Sequence, residues 1–90
     1  MSVGLDNAEF AQLAEQVKHL PSNPDNATLL KFYAYFKQAT VGDNNTEAPG
    51  LMDFTGKAKW NAWSDLKGME QTDATLRYIE AARDMIAKHS

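Results

Sequence analysis

Apolar residues in this 90-residue chain return three and four positions apart in four separate stretches, and nowhere alternate with polar ones. That spacing fits helices and argues against half-buried strands. With no internal repeat and so short a chain, it predicts an all-α fold, a four-helix bundle in one domain spanning 1–90.

Local signals place the helices. Asp6 as N-cap with Glu9 three residues on reads as a capping box, and Leu5 with Phe10 as a hydrophobic staple. Phe10, Leu13, Ala14, Val17 and Leu20 then follow helical spacing, predicting a helix over about 7–20 that Pro21 stops. Asn23 as N-cap with Pro24 at the first helical position opens a second helix, about 24–41, and Asp25 suits its positive end. Leu29, Leu30, Tyr33, Phe36 and Thr40 mark its broad face, and Gly42 is the expected left-handed cap. Residues 43–54 lack periodicity; Ala48-Pro49-Gly50-Leu51 fits a type II turn, and Leu51, Met52 and Phe54 are expected to tie the loop to the core. Thr55 is the expected cap of a third helix, about 56–67, ended by Gly68. A fourth begins after Glu70 and runs to about 88, with Tyr78, Ile79, Ala82, Met85 and Ile86 facing inward.

Composition narrows the function. The net charge is −3 and the pI about 5.2, so the overall field opposes nucleic acid and anionic membranes. A polyanionic ligand would need a local basic cluster. There are no cysteines, hence no disulfides, thiolate zinc sites or cysteine nucleophiles. No stretch approaches the ~18 apolar residues of a membrane span, and the N-terminus lacks a signal-peptide pattern, so a cytoplasmic protein is expected. His19 ends a helix and His89 is penultimate; neither has metal-ligand spacing. The pairs Asp6 and Glu9, and Glu80 and Asp84, read as caps and solvated faces. No catalytic residue, metal or cofactor is expected, and the chain is not expected to be an enzyme.

One stretch could bind something. Phe32-Tyr33-Ala34-Tyr35-Phe36 packs four aromatic residues into five positions, and Lys37 follows. Tyr33, Phe36 and Lys37 fall on one helical face, two rings and a cation. That trio would suit a flat polar ring system carrying phosphate. Alternatively, Phe32 and Phe36 are core, Tyr33 and Tyr35 half-buried, and Lys37 solvated.

Two longer runs carry a resemblance. Tyr33-Ala34-Tyr35-Phe36-Lys37-Gln38-Ala39-Thr40-Val41-Gly42-Asp43 continues through Thr46-Glu47-Ala48-Pro49-Gly50 and is followed by Gly56-Lys57-Ala58-Lys59-Trp60-Asn61-Ala62-Trp63. These runs closely resemble the acyl-CoA-binding protein family, whose pattern includes YKQATVGD, a T-E-x-P-G turn and KGKAKWDAW. Glu15-Gln16-Val17-Lys18-His19-Leu20 and Tyr78-Ile79 extend the resemblance along essentially the whole chain. It implies a four-helix up-down-down-up bundle that binds medium- to long-chain fatty acyl-CoA without chemical change, as a carrier and buffer. Lys18, Tyr33, Phe36, Lys37, Lys59 and Tyr78 would meet the CoA head, and Phe10, Ala14, Leu29 and Leu30 would line the acyl groove. Phe36 stands where the family commonly has tyrosine, which keeps the ring and loses a hydroxyl; Thr55 stands where many members have lysine.

The resemblance leaves two other roles open. One is a helical protein-interaction module; the other is an accessory domain serving a lipid-metabolising enzyme. The apparent completeness of both ends favours a free-standing protein, expected to be a monomer, with enzymes that make and use acyl-CoA as possible partners.

Overall fold

The computed structural model describes residues 8–22 and 24–89. They form four helices: α1 (Ala8–Val17), α2 (Asn26–Thr40), α3 (Phe54–Ser64) and α4 (Gln71–His89). No strand occurs among the described residues, so the all-α expectation holds.

The helix ends differ from the expected ones in instructive ways. Helix α1 stops at Val17 because the Lys18 and His19 amides reach back only three residues, to the carbonyls of Glu15 (3.2 Å) and Gln16 (3.1 Å). That tightened last turn, and Leu20 held off helical geometry by Pro21, end the helix early. Helix α2 is capped by Asp25 rather than Asn23: Asp25 Oδ1 accepts from the Thr28 amide at 2.7 Å, and Pro24 precedes the helix. Helix α3 is capped by Asp53 rather than Thr55, its Oδ1 accepting from the Gly56 amide at 2.9 Å. In both cases a carboxylate takes the cap, where its charge also faces the positive helix end. Asn23, and Leu5 and Asp6, which carried the staple and cap expected for the first helix, lie outside the described residues. Helix α3 ends at Ser64, and Leu66 and Lys67 continue as three-residue turns. Gly42 (φ 96°) and Gly68 (φ 92°) supply the left-handed residues that close α2 and this turn. Asp53→Ala should cost about 1 kcal/mol of stability, the usual worth of such a cap. Thermal melts of the two proteins, read with their binding curves, check it.

Helix α4 packs against α1 and α2, and α2 also packs against α3, while the Phe10 ring of α1 reaches Phe36 of α2 at 5.8 Å between centroids. The whole is flat, 35 × 29 × 15 Å. Side-chain bonds fix the directions. Ser22 meets His89 Nδ1 at 2.9 Å at one end, and Gln71 Nε2 donates to the Ala39 carbonyl at 3.3 Å at the other, so α2 and α4 are antiparallel. Tyr33 lies beside Lys59 and Lys37 beside Trp63, so α2 and α3 run the same way.

The core centres on Tyr78, whose ring lies between Phe10 (4.3 Å between centroids) and Phe32 (4.1 Å), with Phe36 at 5.9 Å. Leu13, Ala39, Ala74, Ile79 and Ala82 complete it, and an ion pair between Glu9 and Arg83 ties α1 to α4 at the surface.

The connection from α2 to α3 is anchored by polar bonds, not by apolar ones. Buried Gln38 donates from Nε2 to Asp43 Oδ1 (2.9 Å) and the Met69 carbonyl (2.7 Å), and Asp43 Oδ1 also accepts from the Gly68 amide (2.8 Å). The Gln38 bond and the Gly68 amide hold the Asp43 carboxyl below its usual range. Asn44 Nδ2 donates to Ser64 Oγ (2.9 Å), the Trp63 indole to the Gly42 carbonyl (2.8 Å), and the Trp60 indole to the Thr46 carbonyl (3.1 Å). The Leu51, Met52 and Phe54 side chains were expected to hold the loop to the core. Instead they are 77%, 85% and 74% exposed. The turn is displaced as well: Gly50 does not have the positive φ of a type II turn, and the Asp53 amide closes on the Gly50 carbonyl at 3.0 Å. That shift places Leu51 and Met52 at the turn's two central, outermost positions.

Candidate functional site

Two clefts flank α2. The first, about 420 Å³, lies between the N-terminal halves of α2 and α3 and is lined by Asn26, Leu29, Leu30, Phe54, Thr55, Ala58 and Lys59. The second, about 340 Å³, lies on the other side of α2 and is lined by Ala14, Val17, Lys18, Leu29, Phe32, Tyr33, Phe36 and Tyr78. Leu29 borders both. Helix spacing explains the arrangement. Phe32, Tyr33 and Phe36 stand three, four and seven positions after Leu29 and share its face of α2, while Leu30 is turned toward α3. Phe54 and Ala58, four apart, place an apolar strip on α3 opposite Leu30.

The second cleft gathers Lys18, Tyr33, Phe36 and Tyr78, four of the six residues expected to meet the head of a ligand, and also Ala14. Lys59 borders the first cleft with Leu29 and Leu30. The two groups meet where the Lys59 ammonium stands 5.3 Å from the Tyr33 ring centroid. Lys37 lines neither cleft; its ammonium rests 4.8 Å from the centroid of Trp63. The trio Tyr33, Phe36 and Lys37 is therefore divided, with two rings in a cleft and the cation parked on an indole face. Such contacts are worth about 0.5–1 kcal/mol at exposed sites, so a phosphate could draw either lysine away. Phe10, expected in the groove, is only 1% exposed and forms the core beneath the second cleft. The remaining groove residues divide, Ala14 on one side of Leu29 and Leu30 on the other. Sequence reasoning missed Phe54, Thr55 and Ala58 as lining residues. The four-residue spacing of Phe54 and Ala58 was the signal.

The site's electrostatics are mild. Lys18 lies 3.5 Å from Glu15, whose carboxyl is lowered first by its bond from His19 and then by Lys18. Both partners are exposed, so Lys18 is free to turn toward a stronger anion. Burial pushes the Tyr78 phenol up to about 12, so it stays neutral at physiological pH. Among the described residues no group of three His, Asp or Glu could hold a metal, and no helix is long and apolar enough to cross a membrane.

Fold and site together define a small all-helical binding protein with a divided apolar cleft edged by lysines, a shape that takes an amphiphile with an anionic head. The sequence profile described as "Acyl CoA binding protein" matches residues 7–82. This chain belongs to the acyl-CoA-binding protein family. It is 49% identical over 80 residues to acyl-CoA-binding protein homolog 1 of Caenorhabditis elegans, covering 89% of this chain and 93% of that one. It is 46% identical over 81 residues to acyl-CoA-binding protein 2 of Saccharomyces pastorianus, covering 90% and 93%. The crystal structure of Oryza sativa acyl-CoA-binding protein 2 superposes with a TM-score of 0.84 at 34% identity, over 89% of this chain and 87% of that one. The solution structure of the yeast acyl-coenzyme A binding protein gives 0.75 at 44% identity, over 92% and 96%. The up-down-down-up bundle expected from the sequence is therefore the fold.

Proposed function

We propose that this chain binds medium- to long-chain fatty acyl-CoA non-covalently, as a cytoplasmic carrier and buffer acting as a single-domain monomer. The observation that carries the reading is the pair of apolar clefts joined at Leu29, with Lys18 and Lys59 at their edges. A CoA ester has the matching form, a charged nucleotide head on a long apolar tail. CoA carries several phosphates and the chain's net charge is −3, so attraction must be local. Lys18, Lys37 and Lys59 supply it. Tyr33, Phe36 and Tyr78 offer ring surface to the adenine, and Phe36 can stack without the hydroxyl it lacks. The tail takes the strip formed by Leu29, Leu30, Phe54 and Ala58. Phe10 supports the wall from beneath instead of touching the ligand.

The ligand leaves unchanged in this reading, because no described side chain is placed as nucleophile or general base. The enzymes that make and use the ester are its partners by mass action. Calorimetric titration with palmitoyl-CoA, free CoA and palmitate tests the reading: tight binding of the ester alone supports it, and equal binding of palmitate refutes it.

Lys37→Ala and Lys59→Ala should each weaken ester binding by about 1.5–3 kcal/mol, the worth of a hydrogen bond to a charged group. If neither variant loses affinity while circular dichroism shows an intact fold, the phosphate assignment fails.

A further inference from the structure

The cleft between α2 and α3 has two unlike ends. At one, the Lys59 ammonium stands 5.3 Å from the Tyr33 ring centroid. Toward the other lie Asn26, the first residue of α2, and Thr55, the second of α3, which border the same cleft. The two helices run the same way, so both side chains fall toward its N-terminal end. Between the ends the walls are Leu29, Leu30, Phe54 and Ala58. At about 1.5 Å per residue, the stretch of α2 from Tyr33 back to Asn26 covers roughly 10 Å. Both polar side chains are spare. Asp25 and Asp53 cap the helices and take the amides of Thr28 and Gly56. Among the described residues neither the Asn26 carboxamide nor the Thr55 hydroxyl has a hydrogen-bond partner.

We propose that Asn26 and Thr55 receive a hydroxyl on the ligand's tail, so that this protein prefers fatty acyl-CoA hydroxylated toward the methyl end. This rests on the acyl-CoA reading above, with the head at Lys59 and the tail along Leu29 and Leu30. Both side chains are exposed in the unliganded protein. A saturated tail that reaches them displaces their water and returns no bond, which costs free energy for any polar group covered without a partner. A hydroxyl donates and accepts, as do a carboxamide and a threonine hydroxyl, so either side chain can meet it. Charge separates a hydroxyl from a carboxylate. Asp25 adjoins Asn26, and Asp53 stands two residues before Thr55, so a tail ending in a carboxylate meets like charge and a neutral hydroxyl does not. Position matters as well: a hydroxyl in the middle of the tail lies against Leu29 and Leu30 and finds no partner.

Calorimetric titration of the full chain tests this by comparing each even-numbered acyl-CoA from octanoyl to palmitoyl with its ω-hydroxy counterpart. At the lengths that bring the hydroxyl to Asn26 and Thr55, the hydroxy ester should bind about threefold to tenfold more tightly than the plain one, as one neutral hydrogen bond implies. At shorter lengths the order should reverse. Asn26→Leu with Thr55→Val keeps the side-chain shapes and removes both partners, and the plain ester should then be preferred at every length. Neither residue caps its helix, so the fold should be kept, which circular dichroism checks. Nitrogen NMR of the wild-type Asn26 side-chain amide gives a reading that needs no variant. Its signal should move further with the favoured hydroxy ester than with the plain ester of equal length. Equal shifts, or the same ratio of hydroxy to plain affinity in both proteins at every length, overturn the proposal and leave the carrier reading intact. Tighter binding of an ω-carboxy ester than of the hydroxy ester also overturns it, because a cationic group would then be receiving the tail. If the wild type binds neither plain nor hydroxy esters, the carrier reading and this proposal fall together.

Discussion

Lengthening the acyl chain from hexanoyl- to palmitoyl-CoA should tighten binding by several kcal/mol, with the gain levelling off once the cleft is filled. Each methylene removed from water contributes up to ~0.8 kcal/mol, so ten of them set a ceiling of about 8 kcal/mol. The realised gain is smaller. The cleft between α2 and α3 is a surface groove of about 420 Å³, and among the described helices α3 packs against α2 alone. A tail lying there keeps one side toward solvent and loses rotational freedom as it is ordered. A calorimetric series over even chain lengths checks this, and its plateau measures how much of the groove is used. Equal affinity for the two esters would show an unburied tail and leave a nucleotide-head binder. A steep rise with a plateau near palmitoyl would assign the strip from Leu29 to Ala58 to the tail. Phe54→Ser should then flatten the series while leaving free CoA unaffected.

Phe10→Ala should destabilise the fold by about 3–5 kcal/mol, the usual cost of removing a buried phenyl ring. Phe10 is 1% exposed and lies against Tyr78 and Phe36, at centroid distances of 4.3 and 5.8 Å. A small domain has about 5–15 kcal/mol in total, so the variant would sit close to unfolding. Urea titration should show the midpoint falling at nearly constant slope, because the unfolded chain exposes similar surface. The experiment also separates the two roles considered for this residue. A core residue costs stability and leaves the affinity of the folded fraction near wild type. A groove residue would lose affinity with little change in midpoint, and that outcome would return Phe10 to the acyl site. Leu51→Ser, at a fully projecting position, should leave the midpoint unchanged.

The helical class, the number of helices and the left-handed Gly42 that closes α2 were legible in the residues alone. Three-and-four spacing and glycine conformation are local properties. Asp25 and Asp53 show where local reading ends. Several capping residues lie within a residue or two of each helix start, and the winner is the one whose carboxylate meets the free amide once the chain has turned. Gln38, Asp43 and Asn44 were legible as part of a motif, and their work became visible only when residues 20 to 31 positions away came within bonding distance. Periodicity likewise says which side of a helix is apolar without saying what faces it. For Phe10 the answer was the Tyr78 ring; for Phe54 it was an open cleft; for Leu51 and Met52, on a turn with no period at all, it was solvent. The division of the binding face at Leu29, and the resting of Lys37 on Trp63 and of Lys59 on Tyr33, were also decided by tertiary structure. Each depends on how α3 is set against α2, and no spacing within one helix encodes the distance to another.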